Sequence, residues 1–498
     1  MEHTSDAAQE FLMGRINYEH AASMPYGPSK LRLDRMRRLL RRFDNPQDGM
    51  PIVHIAGTKG KGSTAAMVAA VLDAAGYRVG LYHSPHLNRI EERIQMNGQA
   101  CTAAELADLV ETIRPAAEAM DVASDGPTFF ELMTAIALLH FARQGADLAV
   151  FEVGLGGRLD STNVCQPSVA VITNISFDHT RQLGNTLVTI AREKAGIIKR
   201  GVPVVSGVAG PEPAAVIRDR CRSLDAPLVE IGVDFIYGYY PPSALGTTAK
   251  THLGRMDFDH QDPPPVAGGQ WPGHGAALKL GLPGRHQAAN AAVALAAIAE
   301  LQRQGWSIPA PAVRRGLATV RWPARIEVLA DVPWFDTPID RSEHDTGNTG
   351  AVSAAPTIVL DTAHNLASIE ALIQTLDESF AGPRRLLVFG ATGEKDIRGM
   401  LTALLPRFDE AIFTRYIHNP RGVPPEELDA LSADLATPRI VCPTPADAWQ
   451  TVRRMARPGD LVCITGSFYL AAELREAIFH GGIPTCRSDS VSCTPAAP

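Results

Sequence analysis

The chain has 498 residues, 45% of them hydrophobic and 20% charged, with a formal net charge of −7. That length exceeds one ordinary core and predicts two or three domains of a soluble globular protein. The acidic balance excludes the general basic footprint of a nucleic-acid binder, and no apolar run reaches the ~20 residues of a membrane span.

Met1 to Glu19 is polar and acidic and does not read as a secretion signal. Leu31 to Phe43 predicts a basic amphipathic helix with its arginines on a solvated face, stopped by Asn45-Pro46-Gln47. Ile52–Ala56 then predicts a strand and Thr64–Ala75 a helix. Between them runs Gly57-Thr58-Lys59-Gly60-Lys61-Gly62-Ser63. A glycine-rich turn from strand to helix aims backbone N–H groups and a helix N-terminus at one point, a geometry that binds phosphate. Lys61 adds a cation, and Ser63 a hydroxyl suited to a bound Mg²⁺. The loop departs from the ordinary phosphate-loop pattern. Ile55 stands where the first glycine belongs, and Gly62 separates Lys61 from Ser63.

A strand at Arg78–Tyr82 and helices at Ala103–Met120 and Phe130–Arg143 follow. Leu148–Val153 and Val169–Asn174 are continuous apolar runs, the pattern of parallel strands buried on both faces. Their alternation with helices predicts a doubly wound α/β domain. Glu152 ends its strand and precedes Gly154-Leu155-Gly156-Gly157. Open α/β sheets bind ligands beyond such strand ends, and a carboxylate there suits Mg²⁺. A turn with an incidental glutamate is the plainer reading. Asn174–His179 follows the next strand end and offers Asp178 or His179 as a further metal ligand, whereas a lone histidine is more often structural. Glu193–Lys199 reads first as a helix C-terminus with favourable cations and a glycine stop.

Residues 239–275 are rich in Pro, Gly and His and predict an irregular connection. Gln287–Gln302 is an alanine-rich helix, with Arg285, His286 and Asn290 near its start open to a nucleotide or to capping. Arg321-Trp322-Pro323 marks a domain boundary, giving domains at 1–320 and 321–484. A second α/β series runs through strands at Thr357–Asp361, Arg385–Gly390, Glu410–Thr414 and Asp460–Thr465. Residues 333–356 resemble a polar surface insertion, and 485–498 a disordered tail. Asp361-Thr362-Ala363-His364-Asn365 follows a strand directly and places Asp361 and His364 at its end.

Lysine occurs only eight times, and five of these, Lys59, Lys61, Lys194, Lys199 and Lys395, fall in the segments singled out. Either the composition simply favours arginine, or these places need an ammonium or a modifiable amine that guanidinium cannot replace. The seven cysteines form no C-x-x-C pair, so neither a zinc site nor a disulfide framework is suggested, and a reducing cytosol fits.

Taken in order, the motifs resemble the folylpolyglutamate synthase/dihydrofolate synthase family of the Mur ligase superfamily. They are HIAGTKGKGST at 54–64, SPHL at 84–87, ERI at 92–94, FEVGLGGRLDSTN at 151–163 and FDHTRQLGNT at 177–186. IAREKAGIIK at 190–199, GRHQAANA at 284–291, RWPARIEV at 321–328, DTAHN at 361–365 and TGSFYLAAE at 465–473 complete the series. The resemblance implies an N-terminal Mur-ligase-type ATPase domain and a C-terminal Rossmann-like domain, with catalysis in a cleft between them. It implies ATP and Mg²⁺ as cofactors, and L-glutamate and a folate or dihydropteroate as substrates. A cytoplasmic monomer without nucleic-acid or membrane partners follows from the same likeness.

By the same resemblance, Gly57, Thr58, Lys59, Gly60, Lys61, Gly62 and Ser63 bind ATP phosphates, and Ser63, Glu152 and His179 form the Mg²⁺ site. Lys194 matches a lysine that the family carries as a carbamate, able to help hold a second metal. Asn290, Arg325, Asp361 and His364 match nucleotide- and phosphate-contacting positions, with Lys61, Lys194 and His364 as the catalytic set. Phe130 matches a pterin-side aromatic. Thr362 departs from the family, which usually has glycine there, and a side chain would be costly if that turn needs a positive φ. Two other functions stay open: a different Mur-type amide ligase, and a nucleotide-binding regulator without ligase activity.

Overall fold

The computed structural model describes residues 2–18, 31, 33–123, 125–242, 252–264, 277–329, 332 and 355–480. The insertion expected at 333–356 lies outside the described residues except for its last two, and the expected tail lies wholly outside. The chain divides into two compact units: Met1–Glu327 with Ala367–Gly382, and Val328–Leu366 with Pro383–Pro498.

The first unit is built on an eight-stranded sheet. Its strands in chain order are β1 (Ile52–Ala56), β2 (Val79–Tyr82), β3 (Ile94–Met96), β4 (Gln99–Ala100), β5 (Leu148–Glu152), β6 (Val169–Ile172), β7 (Val204–Ser206) and β8 (Leu228–Glu230). They lie in the order β4-β3-β2-β5-β1-β6-β7-β8. All neighbours are parallel except at the β2-β3-β4 edge, which is antiparallel. The unbroken apolar runs are explained by burial on both faces. In β1, Val53 and Ile55 join one core cluster with the helices Lys61–Ala74 and Arg285–Arg303, while Ile52 packs in the cluster on the other face. Each such aliphatic side chain contributes roughly 1.5–3 kcal/mol of burial.

Several expectations are corrected. The stretch 239–275 is not wholly irregular: β9 (Phe235–Tyr240), β10 (Arg255–His260) and β11 (Leu278–Lys279) form a three-stranded antiparallel sheet. Phe235, Tyr239, Met256 and Phe258 point into the core and Ile236 and Tyr240 outward, a period-two pattern obscured by the surrounding Pro, Gly and His. The arginines of the helix Leu33–Arg41 are not simply solvated. Arg35 grips the buried Glu131 carboxylate with Nε 2.9 Å from Oε2, and Arg38 pairs with Asp34 and Asp125. The helix after the glycine-rich loop starts at Lys61 rather than Thr64. The helix Glu2–Met13 was not foreseen.

The unit boundary also differs from the expected one. Residues 321–327 belong to the first unit because Trp322 packs edge-on against His83, ring centroids 4.6 Å apart. Ala367–Gly382 joins the same unit: His252 Nδ1 lies 3.0 Å from the Ser379 carbonyl, and its ring stacks on Phe380 at 4.3 Å.

The second unit carries a six-stranded sheet of β12 (Glu327–Leu329), β13 (Thr357–Leu360), β14 (Arg385–Phe389), β15 (Glu410–Phe413), β16 (Arg439–Val441) and β17 (Leu461–Thr465). Their order is β12-β13-β17-β14-β15-β16, and the pairs from β13 to β16 are parallel. Leu386, Val388, Ala411, Ile412, Val462 and Ile464 are fully buried, as parallel strands covered on both faces require.

Candidate active site

β1 runs into the glycine-rich loop, and two glycines make its turn. Gly57 has φ 157° and Gly60 φ 77°, and the helix begins at once with Lys61. A side chain would be strained at Gly60: besides the left-handed backbone, a Cβ there would crowd the Asn290 side-chain oxygen and force it to shift. Asn290 is thereby placed against the loop from the helix Arg285–Arg303 and held by Gln287 at 3.0 Å. At Gly62 a Cβ would stand 3.2 Å from the Trp322 indole and 3.3 Å from Glu152 Oε2, so glycine lets both approach the loop. Ser63 is buried in the first turn.

A second loop, after β6, is laced to the first. Thr58 N donates to the Asn174 carbonyl at 3.0 Å, and Lys59 N to Asn174 Oδ1 at 2.9 Å. Thr173 Oγ1 donates to the Lys59 carbonyl at 2.6 Å, while Thr58 Oγ1 exchanges hydrogen bonds with the Ser176 backbone at 3.1 Å. With its backbone held, the glycine-rich turn is rigid before any ligand arrives, which is what anion recognition by N–H groups needs.

One cavity gathers the parts. Gly57, Thr58 and Lys61 line it from the first loop, Val153–Gly156 from the loop after β5, Asp178 and His179 from the loop after β6, and Lys194 from the end of the helix Leu187–Lys194. Lys194 Nζ donates to the Gly57 carbonyl at 2.8 Å. Burial, reinforced by the nearby Lys61 charge, lowers its pKa to about 7. A substantial share of this amine is therefore neutral and nucleophilic near neutral pH. Glu152 is buried; burial pushes its carboxyl up, and the positive Lys61 and Arg325 pull it back. Burial above all, with a smaller contribution from the Arg325 charge, lowers His83 to about 3 and His286 to about 4.

The expected metal residues are brought near but do not form a closed cage. Glu152 abuts Gly62, whereas His179 lines the cavity with its side chain 52% exposed. Among the described residues no group of three or more His, Cys, Asp or Glu could hold a metal ion. The Ser63 hydroxyl and Glu152 carboxylate are hard oxygen donors of the kind that Mg²⁺ accepts beside phosphates and water. Phe130 stands beside the loop after β5: a Cβ on Gly154 would come 2.5 Å from its ring.

In the second unit, Asp361 and His364 follow β13 as expected, but both are engaged locally. Asp361 Oδ1 accepts from Ala363 N at 2.7 Å, and His364 Nδ1 lies 2.8 Å from the Thr362 carbonyl. Thr362 is not among the residues with positive φ, so its side chain meets no backbone penalty there. Its buried hydroxyl has no hydrogen-bond partner. Sequence reading missed that Trp322 covers Gly62 and that Asn174 pins Lys59; the only signals were that Trp322 stands in the RWPARIEV motif and that Asn174 ends a strand.

Comparison with known proteins agrees with this arrangement. Residues 55–206 match the Mur ligase middle domain, and 349–468 the Mur ligase, glutamate ligase domain. The chain is 33% identical over 468 residues to the dihydrofolate synthase/folylpolyglutamate synthase of Bacillus subtilis (strain 168), covering 93% of this chain and 99% of that one. It is 32% identical over 453 residues to the folylpolyglutamate synthase of Lacticaseibacillus casei, covering 90% and 94%. Among solved structures, Mycobacterium tuberculosis folylpolyglutamate synthase complexed with ADP and AMPPCP superposes with a TM-score of 0.77 at 30% identity, covering 96% of this chain and 98% of that one. Likeness of sequence and fold over nearly the whole length of both partners leads to one conclusion: the chain belongs to the folylpolyglutamate synthase/dihydrofolate synthase family of Mur-type ligases.

Proposed function

We propose that this protein joins L-glutamate to the carboxylate of a folate, a dihydropteroate or both, using ATP and releasing ADP and phosphate. The observation that carries the reading is a rigid anion cradle at residues 57–63 with Lys61 and Lys194 opening onto one cavity. A carboxylate is a poor electrophile. Converted to an acyl phosphate, it accepts attack by the glutamate amine, and phosphate leaves.

The loop N–H groups, Lys61 and Asn290 hold the nucleotide phosphates, and Lys61 offsets charge on the phosphoryl group in transfer. Ser63, Glu152 and His179 would hold Mg²⁺, which supplies further neutralisation of the phosphate oxygens when bound. The neutral amine of Lys194 adds to carbon dioxide and loses a proton, giving a carbamate whose oxygens extend the metal-binding set. Arg325, Asp361 and His364 contribute further nucleotide and phosphate contacts, and Phe130 packs against the pterin end. The two catalytic parts correspond to a nucleotide-binding domain and a glutamate ligase domain within a cytoplasmic monomer.

The test is phosphate release from ATP by the purified protein. Release that requires both glutamate and a pteroate or folate supports the reading, and parallel assays with dihydropteroate and tetrahydrofolate identify the acceptor. ATP binding without acceptor-dependent release would instead favour a regulator.

A further inference from the structure

Lys59 stands inside the phosphate loop, yet its ammonium is turned toward a carboxylate: Nζ lies 2.7 Å from Asp178 Oδ2. Asp178 lines the same cavity as Lys61 and Lys194. An unopposed carboxylate in that wall would repel the phosphates of a nucleotide. The other oxygen of Asp178 has a different task. Oδ1 accepts the His179 N–H at 3.0 Å, and His179 sits in the left-handed region at φ 48°. A histidine there is held by such a local side-chain-to-backbone bond. The Lys59 backbone is fixed at both ends, by Asn174 Oδ1 and by Thr173 Oγ1, so its side chain leaves the loop in a set direction.

We propose that Lys59 is a positioning residue that cancels the charge of Asp178, and is not itself a phosphate ligand. Asp178 then aims His179 at the cavity without opposing the nucleotide. The inference rests on reading the cavity as the phosphate site. The pair is largely shielded from water, at 26% and 12% exposure, so the attraction between its charges is only partly screened.

A double-mutant cycle tests this with Lys59→Met, Asp178→Asn and the double variant, read as affinity for ADP and AMPPCP and as KM for ATP. Asp178→Asn retains an amide oxygen for the His179 N–H. Lys59→Met alone is expected to weaken nucleotide binding on the order of tenfold, and the double variant to return to the level of Asp178→Asn alone. Lys59→Arg, which keeps the pair, is expected to stay near wild type. Equal weakening in Lys59→Met and the double variant overturns the proposal, because the ammonium would then act on phosphate directly or on folding. An unaffected Lys59→Met overturns it as well. Normal binding by the wild-type chain with no coupling in the cycle sinks this inference alone; a wild-type chain that binds no nucleotide sinks the parent reading with it.

Discussion

The loops after β1 and β13 both leave the C-terminal end of a buried parallel strand, yet they are finished differently. In the first, glycines turn the backbone, a neighbouring loop fixes it, and the long side chains Lys61 and Lys194 open onto a cavity. In the second, bonds run within the short turn, from Ala363 N–H to Asp361 and between His364 and the Thr362 carbonyl, while the buried Thr362 hydroxyl has no partner. A loop whose backbone is held by others can spend its own donors on a ligand. A loop whose side chains already bond within the turn must exchange those bonds before it engages one. The contrast makes the first loop the more pre-organised of the two.

The most damaging test of that contrast is Gly60→Ala. The left-handed backbone alone costs about 1–2 kcal/mol, and the new methyl displaces Asn290. Nucleotide affinity measured by calorimetry should fall by roughly 100-fold or more; retained affinity would show that the cradle is not rigid. Lys194→Ala comes next. Turnover should drop on the order of 100-fold while the melting temperature stays close to wild type, and added formate or bicarbonate should restore part of it by placing a carboxylate in the vacated space. Partial recovery with formate would sharpen the carbamate assignment.

Acid should distinguish the units. His54 under the first loop is pushed down to about 3 by burial and the Lys199 charge, and His83 likewise to about 3, by burial above all. Their unfolded forms bind protons from about pH 6.5, so their contribution is fully present above that pH and is lost as pH falls toward 3. Glu152 and Asp160, raised by burial, act in the opposite sense, because their folded forms keep protons to a higher pH. From the histidine contribution melting temperature should decline below about pH 6.5, and His54→Gln should make that decline shallower. An unchanged slope would remove His54 from the account.

The smallest effect is expected in the second loop. Thr362→Val deletes a buried, unpartnered hydroxyl at nearly constant shape and should stabilise the protein by about 1 kcal/mol with turnover little changed. A large loss of turnover would mean that this hydroxyl is reserved for a ligand.

Much of this was legible in the chain. Continuous apolar runs marked β1, β5, β6 and the strands of the second unit, because a strand buried on both faces carries its environment in its own composition. Local chemistry also placed the glycine-rich turn and Glu152 at a strand end. The β9–β11 sheet was obscured because its alternation is short and set among Pro, Gly and His. The commitment of Arg35 to Glu131 could not be read from the helix pattern, since both a solvated and a paired arginine satisfy amphipathicity.

The sequence by itself determined where a turn of phosphate-binding geometry would form, since a strand, a glycine turn and a helix start are adjacent in the chain. Only the tertiary structure decided which side chains share that place. Asn290 against Gly60, Trp322 over Gly62, Lys194 at the Gly57 carbonyl and Lys59 on Asp178 each join segments more than a hundred residues apart. Such pairings depend on how strands order within the sheet, and local propensity carries no record of that order.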